Sequence, residues 1–145
     1  MRKIFLLVIA ILVVASIGCR TGEYKFDLEI YEQMPALLEA NEDIASKIRR
    51  NDDGTLDVTY EKGEMFIRLA YQLDPNTQQK VVSQAFEIFH DQYINHPEAR
   101  NKEGKFRRQS IRARGFVDDI ELYVVRWDLA DPEPDLESDR YASYY

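Results

Sequence analysis

The chain has 145 residues with 19 basic and 26 acidic groups, a formal net charge of −7, one cysteine and two histidines. That length supports one domain with a real core rather than two. The acidic balance argues against nucleic acid as a partner, because phosphate binding needs a basic surface, and it disfavours broad adhesion to anionic lipid headgroups.

The first segment is a leader. Met1, Arg2 and Lys3 make a basic start, Ile4 to Ala15 is an unbroken apolar run, and small residues stand before the lone cysteine, which is the layout of a secretory signal. The fifteen residues from Ile4 to Gly18 fall short of the roughly 20 that a membrane-spanning helix needs, and they lack the polar face of a core helix. The quartet Ser16-Ile17-Gly18-Cys19 resembles the lipobox of bacterial lipoproteins, with serine where that family usually has leucine. The resemblance covers only the leader. It implies cleavage before Cys19, a diacylglycerol on its thiol and usually an acylated new amino terminus, so that the domain is held at a membrane of the cell envelope. Lipidation would also block a thiol that has no internal disulfide partner in an exported chain. Arg20 stands where an aspartate signals inner-membrane retention in the enterobacterial sorting rule, so the resemblance implies an outer membrane, facing the periplasm, in a two-membraned cell. In a single-membrane cell it implies the outer face of the cytoplasmic membrane. Loss of residues 1–18 would leave 127 residues and, without Arg2 and Lys3, a net charge of −9.

Residues 19–23 read as a lipidated tether, 24–127 as one α+β domain and 128–145 as an acidic, flexible tail with too little apolar surface to offset the entropy of ordering. Tyr24 to Ile30 fits both a strand period and a helical stripe and stays open between them. Pro35 suits a first helical turn, and Leu37, Leu38, Ile44, Ala45 and Ile48 continue at helical spacing, which predicts a helix over about 35–50. Lys62-Gly63 is a two-residue hairpin turn: pairs summing to 125 set Tyr60 opposite Met65, Val58 opposite Ile67 and Leu56 opposite Leu69 on one face, with Asp57 opposite Arg68 on the other. Asp74-Pro75 starts a second helix, whose wide apolar face runs from Val81 through Phe86 and Phe89 to Ile94 before Pro97 ends it. A second hairpin is expected to turn at Phe116-Val117, with pairs summing to 233: Ile111 with Leu122, Ala113 with Ile120, Arg112 with Glu121, Arg114 with Asp119 and Ser110 with Tyr123. The order predicts an α+β sandwich, an antiparallel sheet of four or five strands with two helices on one face.

Chemistry is sparsely signalled. There is no glycine-rich phosphate loop, no Gly-x-Ser-x-Gly elbow and, with Cys19 lipidated, no thiol nucleophile. Glu87 and His90 form one Glu-x-x-His unit where a carboxylate-bridged metal site needs two, so a solvated or capping His90 is expected. Asp52, Asp53 and Asp57 miss the spacing of a calcium loop. No enzyme, metal or cofactor is expected. Residues 100–114 hold seven basic groups against Glu103, while 128–145 hold six acidic groups against Arg140, charges that would attract. The expected contact is a sheet face carrying Arg108, Arg112, Tyr123 and Trp127, residue types enriched at interface hot spots. The reading is a lipid-anchored envelope protein that binds another protein as an assembly accessory, a pilotin-like escort or an inhibitor. An enzyme or carrier acting on an envelope glycan or lipid and a passive structural lipoprotein are the alternatives.

Overall fold

The computed structural model describes residues 22–129, so the expected leader, Cys19 and the segment 130–145 lie outside it. Helix α1 spans Lys25–Glu39, the short α2 Glu42–Ala45, strands β1 Val58–Glu61 and β2 Glu64–Arg68, helix α3 Pro75–Asn95, and strands β3 Ser110–Val117 and β4 Ile120–Asp128.

The ambiguous stretch after Tyr24 is helix, and it extends through Pro35. The expected helix over 35–50 is therefore replaced by two. Phe26, Ile30, Met34 and Leu38 repeat at helical spacing and are all buried, and that stripe outweighs the one backbone bond Pro35 removes. Asn41 ends the run, because its side chain accepts from the Ile44 N–H and caps α2. Beyond α2 the chain is extended: Ile48 bridges to Leu69 and Arg50 to Leu56, so these two leucines pair with the 48–50 segment and not with each other.

The first hairpin has the expected register, Val58 to Ile67 and Tyr60 to Met65, with Lys62 and Gly63 both at positive φ in its turn. Arg68 also reaches Asp57 at 3.6 Å. The second hairpin departs from expectation. Its turn is Asp118-Asp119, with Val117 opposite Ile120, and a bulge after Gly115 carries the rest into the register Gly115–Tyr123, Ala113–Val125 and Ile111–Trp127. Charge matching favours the other register, but an exposed ion pair is worth about 0.2–1 kcal/mol, whereas burying one valine is worth about 1.5–3. Val125 beside Ile111 and Ala113 in the core decides the alignment. The arginines take other partners: Arg112 bonds Glu64, and Arg114 bonds Glu64 and Glu121.

The four strands form one sheet in chain order, β1-β2-β3-β4. It is mixed, not wholly antiparallel, since β2 and β3 run parallel. The reason is the long α3 between them, a crossover connection that returns the chain in the same direction. Among the described residues three helices are present where two were expected. Helix α3 packs on β2, β3 and β4, and α1 packs on α3. The core between them includes Phe86, Phe89, Val82, Met65, Ile67 and Ile111. Gly115 lies under Val82, whose methyl would overlap any Cβ placed there. This is an α+β domain with a mixed sheet.

Candidate functional site

The polar stretch between α3 and β3 is an ordered loop. Pro97 follows the helix end at His96, whose Nε2 lies 2.8 Å from Glu29 on α1. Asn101 then closes a small turn: its side-chain oxygen accepts from the N–H groups of Glu103 (2.9 Å) and Lys105 (3.0 Å), and its carbonyl from that of Gly104 (3.0 Å). Gly104 takes φ +81°, a conformation that costs glycine no Cβ penalty. Arg100 bridges to Phe106, and the N–H of Arg107 donates to Ala99, so the two arms of the loop run side by side.

This folding gathers cations. The Arg100 guanidinium lies 3.9 Å from the Phe106 ring centre and donates to the Gly104 carbonyl at 3.0 Å, which fixes its direction. Arg100, Lys105, Phe106, Arg107, Gln109 and Leu129 line a groove of about 570 Å³. A second groove of about 420 Å³ shares Arg100 and Arg107 and runs past Tyr24, Pro97 and Lys102. Arg100, Lys102, Lys105 and Arg107 form no salt bridge among the described residues, although the chain as a whole is acidic.

Arg108 borders the groove and is the exception. Its Nε and Nη2 donate to the two carboxylate oxygens of Asp27 at 3.0 and 2.6 Å, and Nη1 donates to the Lys62 carbonyl at 3.0 Å. Asp27 is fully buried and also accepts from the Tyr93 hydroxyl (2.6 Å) and the Tyr24 N–H (2.8 Å). Burial disfavours the Arg108 charge, but the Asp27 bonds outweigh it and hold the guanidinium above its ordinary range. Burial likewise pushes Tyr93 well above the usual tyrosine range and Tyr31, which accepts from the Gly63 N–H at 2.7 Å, up to about 12. Both stay protonated at neutral pH. The cluster fastens α1 to the turn of the first hairpin and to the approach of β3, and so sets the wall of the groove.

The four residues expected to share a sheet face do not. Tyr123 and Trp127 pair with Gly115 and Ile111, on the side that packs against α3. The Tyr123 hydroxyl donates to the Pro75 carbonyl at 3.0 Å, and the Trp127 ring stacks on His90 with centroids 3.2 Å apart. Arg112 lies on the opposite face with Glu64, and Arg108 bonds α1. The register shift by an odd number of residues causes this, because it moves alternate side chains to the other face. His90 is buried, contrary to the solvated role expected; burial pushes its pKa down, and its Nε2 has no hydrogen-bond partner among the described residues. Glu87 on the same helix is exposed. Among the described residues no three His, Cys, Asp or Glu side chains are grouped to hold a metal ion, and no helix is long and apolar enough to cross a membrane.

No family model, no curated protein and no solved structure matches the chain. The groove residues Arg100, Lys105 and Arg107 belong to the basic run 100–114, which the sequence sets only against the acidic stretch 128–145. The signal that separates them is Asn101 with Gly104, the turn chemistry that lifts 100–107 away from the sheet.

Proposed function

We propose that the chain is a lipid-anchored envelope protein whose α+β domain binds an acidic, extended segment of another envelope protein, with the basic groove as the contact. The observation that carries this reading is the set of four cations, Arg100, Lys102, Lys105 and Arg107, held around two joined grooves without carboxylate partners among the described residues. An isolated surface cation has little consequence, but four cations around a concave surface, against the single carboxylate Glu98 that lines the second groove, attract and orient a complementary chain. Phe106 and Tyr24 add aromatic contact area beside the charges. The open shape fits a peptide segment, and the orientation of Arg100 by Phe106 and Gly104 lowers the ordering cost of binding. The anchor at Cys19 supports the envelope placement through the lipobox-like leader.

The test is affinity purification of the anchored protein in native detergent, with carbodiimide coupling of its lysines to bound carboxylates. A partner coupled through an acidic stretch to Lys102 or Lys105, and lost on Arg100→Glu with Arg107→Glu, is the expected result. Equal recovery by the charge-reversed protein would remove the groove as the contact.

A further inference from the structure

Leu129, the last described residue, lines the basic groove, and its N–H donates at 3.0 Å to the carbonyl of Gln109, another lining residue. The chain therefore leaves the described domain at the groove itself. The sequence beyond it carries Asp131, Glu133, Asp135, Glu137 and Asp139, carboxylates at every second position, with Pro132 and Pro134 between the first three. A residue before proline is biased away from helix toward β or polyproline conformations, so this segment favours an extended form in which the carboxylates are spread along its length. Such a segment would present a row of carboxylates to Arg100, Lys102, Lys105 and Arg107.

We propose that residues 131–139 of this chain occupy the basic groove and that an incoming acidic segment binds by displacing them. Nine extended residues reach at most about 30 Å, so chain length does not hold the segment away from cations that surround its point of origin. A short connection gives the tail an effective concentration near the millimolar range, so even a weak fit occupies the groove and a competitor must overcome it. The competition rests on the groove being the partner site proposed above; the docking of the tail does not.

The experiment uses the full chain in detergent micelles, unaltered and with Asp131, Glu133, Asp135, Glu137 and Asp139 replaced by Asn or Gln. The probe is a fluorescent synthetic peptide of residues 130–145. It is expected to bind the neutralised chain about tenfold or more tighter than the unaltered chain. Adding Arg100→Glu and Arg107→Glu to the neutralised chain is expected to abolish that binding, and raising salt to about 0.5 M to weaken it. Equal affinity for the two chains, no saturable binding to the neutralised chain, or binding indifferent to the arginine reversal would each overturn the proposal. A second probe, an unrelated peptide of alternating Glu and Ala, separates the two ideas. Binding of this peptide to the neutralised chain alone supports displacement. Binding of the tail peptide without it upholds the docking while removing the wider reading of the groove as a site for acidic segments.

Discussion

Replacing Asp27 by Asn changes almost no volume and removes one charge from a fully buried site. The carboxylate accepts four hydrogen bonds, two from Arg108 and one each from Tyr93 and the Tyr24 backbone. An amide keeps one acceptor oxygen, for Arg108 Nε and Tyr93, and turns an NH₂ group toward Arg108 Nη2 and the Tyr24 N–H. Donor then faces donor, and a guanidinium with 13% side-chain exposure loses its counter-charge. Breaking a buried pair in this way costs about 3–5 kcal/mol, against a total stability of about 5–15 kcal/mol for a domain. Urea unfolding followed by circular dichroism measures it as a lower midpoint at unchanged slope. Removing both charges together with the hydroxyl that depends on them, as Asp27→Leu with Arg108→Met and Tyr93→Phe, should recover most of the loss, since replacing a buried pair by apolar groups is often close to neutral. A cost below about 1 kcal/mol for Asp27→Asn, the range of ordinary surface changes, would show that the carboxylate is not the fastening of α1 to the hairpin.

Trp127→Ala should destabilise the domain by about 1–3 kcal/mol, because the ring is half-buried against the core and stacked on His90, and a thermal melt with no shift would place that ring elsewhere. His90 is held below its ordinary value of 6.5 by burial, so the unfolded chain takes up its proton first; stability is full above about pH 6.5 and falls as pH drops toward the folded pKa. His90→Phe should flatten this part of the melting-temperature profile between about pH 7.5 and 5.5, and an unchanged slope would contradict a buried neutral imidazole. Cys19→Ser should abolish lipid attachment and processing by the lipoprotein peptidase, read as slower gel migration and loss from the detergent phase; unchanged mobility and partitioning would remove the anchor.

Local chemistry in the sequence was legible at the first hairpin turn and at the start of α3. Lys62-Gly63 carried the first hairpin and its register because the turn and both faces agreed, and Asp74-Pro75 marked the start of α3, where Asp74 accepts from the Thr77 N–H. The register of the second hairpin was not legible, because β3 has a neighbour on each side. Glu64 of β2, some fifty residues away in the chain, takes Arg112 and shares Arg114 with Glu121 of β4. The buried Asp27 was invisible for the same reason: its partners Tyr93 and Arg108 lie 66 and 81 residues away. Pro35 misled because a proline argues against a helix interior only until an apolar stripe on both sides of it is buried. The groove depended on both kinds of information, the Asn101 turn within the loop and the distant residue Leu129 that completes its wall.

The groove itself is best tested by mapping where an acidic peptide lands. Amide chemical shifts of the tail-neutralised full chain, titrated with a peptide of alternating Glu and Ala, should move in a saturable way at Arg100, Lys105, Arg107 and Gln109 and lose affinity as salt rises. Shifts concentrated instead at Lys47, Arg49 or Lys80, or spread evenly over every exposed cation, would contradict a built site and leave the basic loop as ordinary solvated surface.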